Sequence, residues 1–256
     1  MSELQFLKFE KANGAARISL ARPKHNVMNL DMMKELNSVL ESLCSDNELK
    51  CLVLLAEGKS WCAGVEVADH KPECAPGMIE HFDRIFELLD RLEVPTIAAV
   101  HGACLGGGME LAIGCDIVVA STAAKFGQPE IKLGFFPPYA AARLPEMVGE
   151  SKAIEICTTG RIYSAREAQE MGFVGKVTEE EKFSETVNGL VEEICAASPL
   201  IIRMNKRAVR MARGCAPREA ARKTNDYFLN SLMKTEDTLE GIKSFEEKRK
   251  PVWKNR

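Results

Sequence analysis

Residues 101–112 read His101-Gly102-Ala103-Cys104-Leu105-Gly106-Gly107-Gly108-Met109-Glu110-Leu111-Ala112, with three successive glycines between one short apolar run and another. Such a segment leaves the backbone open where a strand hands over to a helix. Free N–H groups and the dipole at a helix start favour developing negative charge, which is the chemistry of an oxyanion hole. The spacing does not fit Gly-x-Gly-x-x-Gly, because Gly106-x-Gly108 would need glycine at 111 and finds Leu111. Dinucleotide binding is therefore disfavoured. Glu110 falls in the first turn of the expected helix, where a carboxylate either complements the dipole or does chemistry.

Thr96–Val100 and 117–120 flank this segment as short apolar runs and read as strands. Further upstream, Cys51–Ala56 is continuously apolar, as expected for a strand covered on both faces. Leu30–Leu43 has apolar residues at 30, 32, 33, 36, 39, 40 and 43, a helical stripe capped by Asn29 or Asp31. A second stripe over 78–92 is broken by Pro95. The chain opens with a predicted hairpin, 5–10 and 15–20 alternating about Asn13-Gly14. Strands alternating with helices exclude the all-α and all-β classes and predict an α/β fold with parallel strands. From about Ser198 the strands stop, and 199–213, 217–233 and 236–248 read as helices. The expected division is a core of residues 1–197 and a helical region of residues 198–256.

Two further segments stand out. Lys59-Ser60-Trp61-Cys62-Ala63-Gly64-Val65-Glu66 follows the 51–56 strand with small residues, either as a tight turn or as a loop whose N–H groups face a ligand. A phosphate-loop reading fails, since Val53 stands where its first glycine belongs. In Lys125-Phe126-Gly127-Gln128-Pro129-Glu130-Ile131-Lys132-Leu133-Gly134, a second carboxylate sits between a proline and an apolar run. It is either an exposed turn residue or, with Glu110, half of an acid and base pair around an activated carbonyl.

Across 256 residues, 46% are hydrophobic, and 34 basic against 37 acidic side chains give a net charge of −3. This composition predicts one large domain with an appendage and excludes a polyanion binder that is basic all over. Apolar runs fall far short of the roughly 20 residues a spanning helix needs. With a polar N-terminus, the expectation is a cytoplasmic protein without membrane contact. Nine cysteines, with no Cys-x-x-Cys pair, are expected to be reduced structural thiols; four histidines show no ligand spacing, so no metal is expected. Arg203, Lys206, Arg207, Arg210 and Arg213 share a helix face. That face either meets RNA phosphates or is a solvated or subunit-interface surface answering the acidic stretch 179–193.

Five blocks in order are similar to the enoyl-CoA hydratase/isomerase (crotonase) family over almost the full length. They are Arg22-Pro23-Lys24 with Asn26, Trp61-Cys62-Ala63-Gly64, Gly102 to Ala112, Phe126 to Gly134, and Phe245-Glu246-Glu247-Lys248-Arg249-Lys250. The resemblance implies a crotonase-like spiral of strand-strand-helix turns with a C-terminal helical trimerisation region, assembled as a homotrimer or homohexamer. It implies an acyl-CoA thioester substrate and no separate cofactor, CoA being part of the substrate. It carries the oxyanion donors to the N–H groups of Ala63 and Gly107, and the two hydratase glutamates to Glu110 and Glu130. Lys24, Asn26, Trp61, Gly64, Val65 and Gly106 are expected at the substrate, with Phe245 and Lys248 reaching the nucleotide end from a neighbouring subunit. The implied reaction is reversible hydration of an α,β-unsaturated acyl-CoA, Glu110 deprotonating water and Glu130 exchanging the carbon proton. Isomerisation or hydrolysis of acyl-CoA on the same fold, or an RNA-binding relative, are the alternatives. Where hydratases commonly carry glycines, this chain reads Phe135-Phe136-Pro137-Pro138-Tyr139-Ala140-Ala141-Ala142. With His70-Lys71-Pro72-Glu73, that stretch resembles the cyclohexa-1,5-diene-1-carbonyl-CoA hydratases of anaerobic aromatic degradation. Pro137, Pro138 and Tyr139 are then expected to wall the acyl pocket stiffly, which suits a flat ring.

Overall fold

Asn13 and Gly14 both take positive φ, 52° and 82°, so the chain reverses in a two-residue turn matched to strand twist. The turn joins β1 (Leu7–Ala12) to β2 (Ala15–Leu20), pairing Ala12 with Ala15. The computed structural model describes residues 4–256. Helix α1 (Leu30–Leu43) starts where the Asn29 side chain accepts from Met32 N at 3.1 Å, so Asn29 rather than Asp31 is the cap. Strand β3 (Cys51–Ala56) then lies parallel to β2, and α2 (Ala75–Arg91) carries Pro76 in its first turn, ahead of the apolar stripe.

The chain next enters two sheets in turn. β4 (Thr96–Val100) passes into β5 (Ala103–Leu105), and α3 (Gly107–Gly114) leads back to β6 (Ile117–Ser121), which passes into β7 (Lys125–Gly127). After α4 (Pro138–Val148) and α5 (Glu150–Thr159) come β8 (Ile162–Ser164), α6 (Ala165–Met171), β9 (Lys176–Thr178) and α7 (Glu180–Cys195). The larger sheet runs β1-β2-β3-β4-β6-β9, parallel beyond the hairpin, and the smaller runs β5-β7-β8. These are the strand-strand-helix turns of the expected spiral. The unbroken apolar run of β3 has a plain cause: Leu52 and Leu54 join the core containing α1 and α2, while Cys51 and Val53 face Val187 and Val191 of α7.

Helices α8 (Pro199–Met211), α9 (Pro217–Asn230) and α10 (Glu236–Glu246) close the chain; all three stop short of the expected 213, 233 and 248. The expectation that the basic stripe answers the acidic stretch 179–193 needs correction. Lys206 Nζ lies 2.6 Å from Asp116 Oδ2, Arg207 pairs with Glu93, and Arg210 reaches Asp90 and Asp116. Arg203 NH2 donates to Asn255 Oδ1 at 2.8 Å. These four side chains tie α8 to its own chain, and none of their partners belongs to 179–193. Replacing Asp116 by Ala strands an ammonium whose side chain is only 7% exposed. The expected loss is about 2–3 kcal/mol, below that of a fully buried pair because solvent still reaches Asp116. Urea unfolding checks this, and an unchanged midpoint would mean that apolar burial alone docks the helix. Among the described residues no helix is long and apolar enough to cross a membrane.

Candidate active site

The three glycines have separate steric reasons. A Cβ on Gly106, which sits at φ +53°, would lie 2.3 Å from Glu130 Oε1; on Gly107, 2.5 Å from Val65 Cγ2; on Gly108, 2.2 Å from Cys62 O. The missing side chains let the start of α3 close on the loop after β3 and on the second carboxylate. The space beside them is a cavity of about 610 Å³, lined by the 63–70 loop, α2, the start of α3 and residues 129–138.

Glu110, only 3% exposed, projects from the first turn of α3. Its Oε1 accepts from Ala140 N at 2.8 Å, so the first turn of α4 also points at this carboxylate. Burial pushes its carboxyl up, the Ala140 N–H draws it down, and the Glu130 charge raises it again, leaving it at about 7. Glu130 stands on the short 3₁₀ turn Pro129–Leu133, and burial raises its carboxyl too. The buried Gln128 amide, its nitrogen turned toward Glu130, donates to the two carboxylate oxygens at 3.1 and 3.2 Å.

Main-chain register decides the donors. Met28 N donates to Gly64 O at 2.9 Å and Glu66 N to Met28 O at 2.8 Å, a parallel bridge that leaves Val65 N–H facing the other way. Among the described residues neither Val65 N–H nor Gly107 N–H, the first of α3, has a partner. Ala63 N–H donates to His25 O at 3.0 Å. Ala63 N–H is therefore not free to act as the expected oxyanion donor, and the unpartnered amides are those of Val65 and Gly107.

Of the residues singled out by sequence, Ala63, Gly64, Val65, Gly106, Gly107, Glu110, Glu130, Pro137 and Pro138 meet around this cavity. The others do not. Trp61 is fully buried in the core. Asn26 is a buried brace, its Oδ1 accepting from Arg22 N at 2.9 Å and its Nδ2 donating to Glu57 O and Ser60 O at 2.8 Å. Tyr139 turns away to stack on Phe86, ring centroids 3.5 Å apart, and the phenyl rings lining the cavity are those of Phe82, Phe135 and Phe136. Lys24 is exposed outside the cavity lining, and Phe245, 85% exposed, and Lys248 do not line it within their own chain. Met78, Ile79 and Phe82 of α2 line the cavity without having been singled out, because their helical spacing is equally that of a core stripe.

The family model described as Enoyl-CoA hydratase/isomerase matches residues 10–256. The chain is 33% identical over 256 residues to the short-chain-enoyl-CoA hydratase of Clostridium acetobutylicum, covering 97% of each. It is 32% identical over 248 residues to the cyclohexa-1,5-dienecarbonyl-CoA hydratase of Thauera aromatica, covering 96% of this chain and 95% of that one. A crystal structure of enoyl-CoA hydratase from Bacillus anthracis superposes with a TM-score of 0.93 at 28% identity, covering 98% of this chain and 100% of the other.

Proposed function

Because the chain belongs to the enoyl-CoA hydratase/isomerase family, we propose that this cavity adds water reversibly to an α,β-unsaturated acyl-CoA with the chain's own carboxylates and N–H groups. The observation that carries the reading is the meeting of Glu110 and Glu130 with two unpartnered N–H groups in one apolar chamber. The thioester oxygen accepts from Val65 N–H and Gly107 N–H, which stabilises the enolate as it forms. Glu130 lies against Gly106, beside these donors, and so serves the α-carbon; Glu110, held by the Ala140 N–H at the start of α4, serves the β-carbon. Water oxygen bonds to the β-carbon as its proton passes to Glu110, and the Glu130 proton passes to the α-carbon. Incubation in ¹⁸O-water tests this. A product heavier by one labelled water is expected, whereas a shifted double bond without mass gain, or released CoA, would overturn it.

The substrate we propose is a cyclic dienoyl-CoA. Pro137 and Pro138 restrict the backbone that starts α4, and the Ala140–Glu110 hydrogen bond fixes that start against the site. A stiff apolar wall suits a planar ring, which has little conformational freedom to lose. Cyclohexa-1,5-diene-1-carbonyl-CoA is expected to exceed crotonyl-CoA in kcat/KM by at least about tenfold, about 1.4 kcal/mol of transition-state discrimination. Side-by-side kinetics reads this directly, and equal efficiency would leave hydration standing while removing the cyclic assignment. The exposed Phe245 and Lys248 suit a homotrimer or hexamer in which they reach a neighbour's CoA.

A further inference from the structure

Away from the cavity, two thiols 144 positions apart in sequence face each other: Cys51 Sγ and Cys195 Sγ are separated by 3.8 Å. Cys51 is the buried first residue of β3, and Cys195 is the partly exposed last residue of α7. The pair sits in the small apolar layer where Val187 and Val191 cover the sheet. Its surroundings differ from those of the other thiols that come together. Cys62 and Cys104 are fully buried, and each donates to a backbone carbonyl at 3.5 Å, Gly64 O and Gly108 O respectively. Cys195 instead has Lys50 beside it, the ammonium donating to Cys195 O at 2.6 Å, with Arg17 also near.

We propose that Cys51 and Cys195 are a peroxide-responsive pair whose disulfide fastens α7 to the central sheet. The hydrogen bond from Cys51, then the Lys50 and Arg17 charges, bring the Cys195 thiol down to about 7 against the opposing effect of burial, while the Cys51 thiol is pushed up. Cys195 is accordingly the attacking sulfur and Cys51 the resolving one. Cys195 thiolate attacks a peroxide oxygen; the S–O bond forms, the O–O bond breaks, and the departing hydroxide takes a proton to become water. Cys51 sulfur then attacks Cys195 sulfur; the S–S bond forms, the S–O bond breaks, and a second water leaves with the Cys51 proton. Two thiols lose two electrons in all, and one hydrogen peroxide becomes two waters. The closed loop contains Glu110 and Glu130 and every strand between β3 and β9.

The test treats the full chain with a few equivalents of hydrogen peroxide, digests it without reductant and maps the peptides by mass. A linked peptide joining 51 to 195, two hydrogens lighter than the separate pair, is expected, together with a rise in Tm of about 5 °C over the same sample after dithiothreitol. Cys195→Ser abolishes both effects. Cys51→Ala strands Cys195 as a sulfenic acid that dimedone traps, a readout that does not depend on cross-linking. Cys195 left reduced or driven to sulfinic acid in the unaltered chain, links among other cysteines only, or a link without the Tm gain would each overturn the proposal.

Discussion

Exchanging Glu110 for Gln lowers kcat by roughly 10²- to 10⁴-fold, the range expected when a positioned acid-base group is removed. The amide keeps the shape of the carboxylate, and its oxygen still accepts from Ala140 N–H, so packing at this buried position survives. The pH profile separates lost chemistry from lost structure. Hydration as derived needs one proton on the pair, with Glu110 ionised and Glu130 protonated in the reacting arrangement. The value of about 7 for Glu110 includes the repulsion of an already charged Glu130, so it marks the last proton leaving the pair. The kcat/KM of the unaltered enzyme therefore falls as pH rises through about 7, and falls again on the acid side where both carboxyls carry protons. In Glu110→Gln the limb moves to lower pH, where Glu130 alone loses its proton, since one of the two repelling charges is gone. Near-normal turnover in the variant, or a limb that stays near 7, would reject the two-carboxylate mechanism.

Gly107→Pro is expected to cost roughly 10²- to 10³-fold in kcat by deleting an oxyanion donor outright. Proline is tolerated at the first position of a helix, so α3 itself does not forbid it. The new ring does press on Val65, whose methyl a Cβ would meet at 2.5 Å. Gly107→Ala controls for that contact, because it adds the same Cβ and keeps the N–H. The ordering unaltered, then Ala, then Pro in falling kcat assigns the loss to the donor. Equal losses in Ala and Pro would assign it to crowding, and an unchanged Pro variant would put the oxyanion hole elsewhere.

How much of this was legible in the sequence depended on the length scale of each signal. The α1 stripe and the two-faced β3 run each span enough residues for their pattern to show, and they lie where the sequence places them. Strands β5, β7, β8 and β9 have three residues each, too few for any period, and they pair only because longer strands deliver them. The α4 start was readable in principle, since proline followed by alanines is a helix opening, yet Pro137-Pro138-Tyr139 read more readily as a wall. The family resemblance assigned a donor role to Ala63, whose N–H is taken up by His25 O. Which amide is free depends on the register of the Met28–Val65 bridge, a long-range pairing no local pattern encodes. The basic stripe of α8 misled for the same reason: its partners Asp90, Glu93 and Asp116 come from elements far back in the chain.

The bond from Ala140 N to Glu110 makes the wall of the acyl chamber and the strength of its acid a single mechanical element. An acyl group too bulky for the chamber would lever the start of α4 outward and withdraw that amide from the carboxylate. Glu110 would then hold a proton more tightly and spend less of its time ionised, the only form that can take the proton of water. An ill-fitting substrate is thus penalised through proton affinity as well as through crowding, and selection by size becomes selection by acidity.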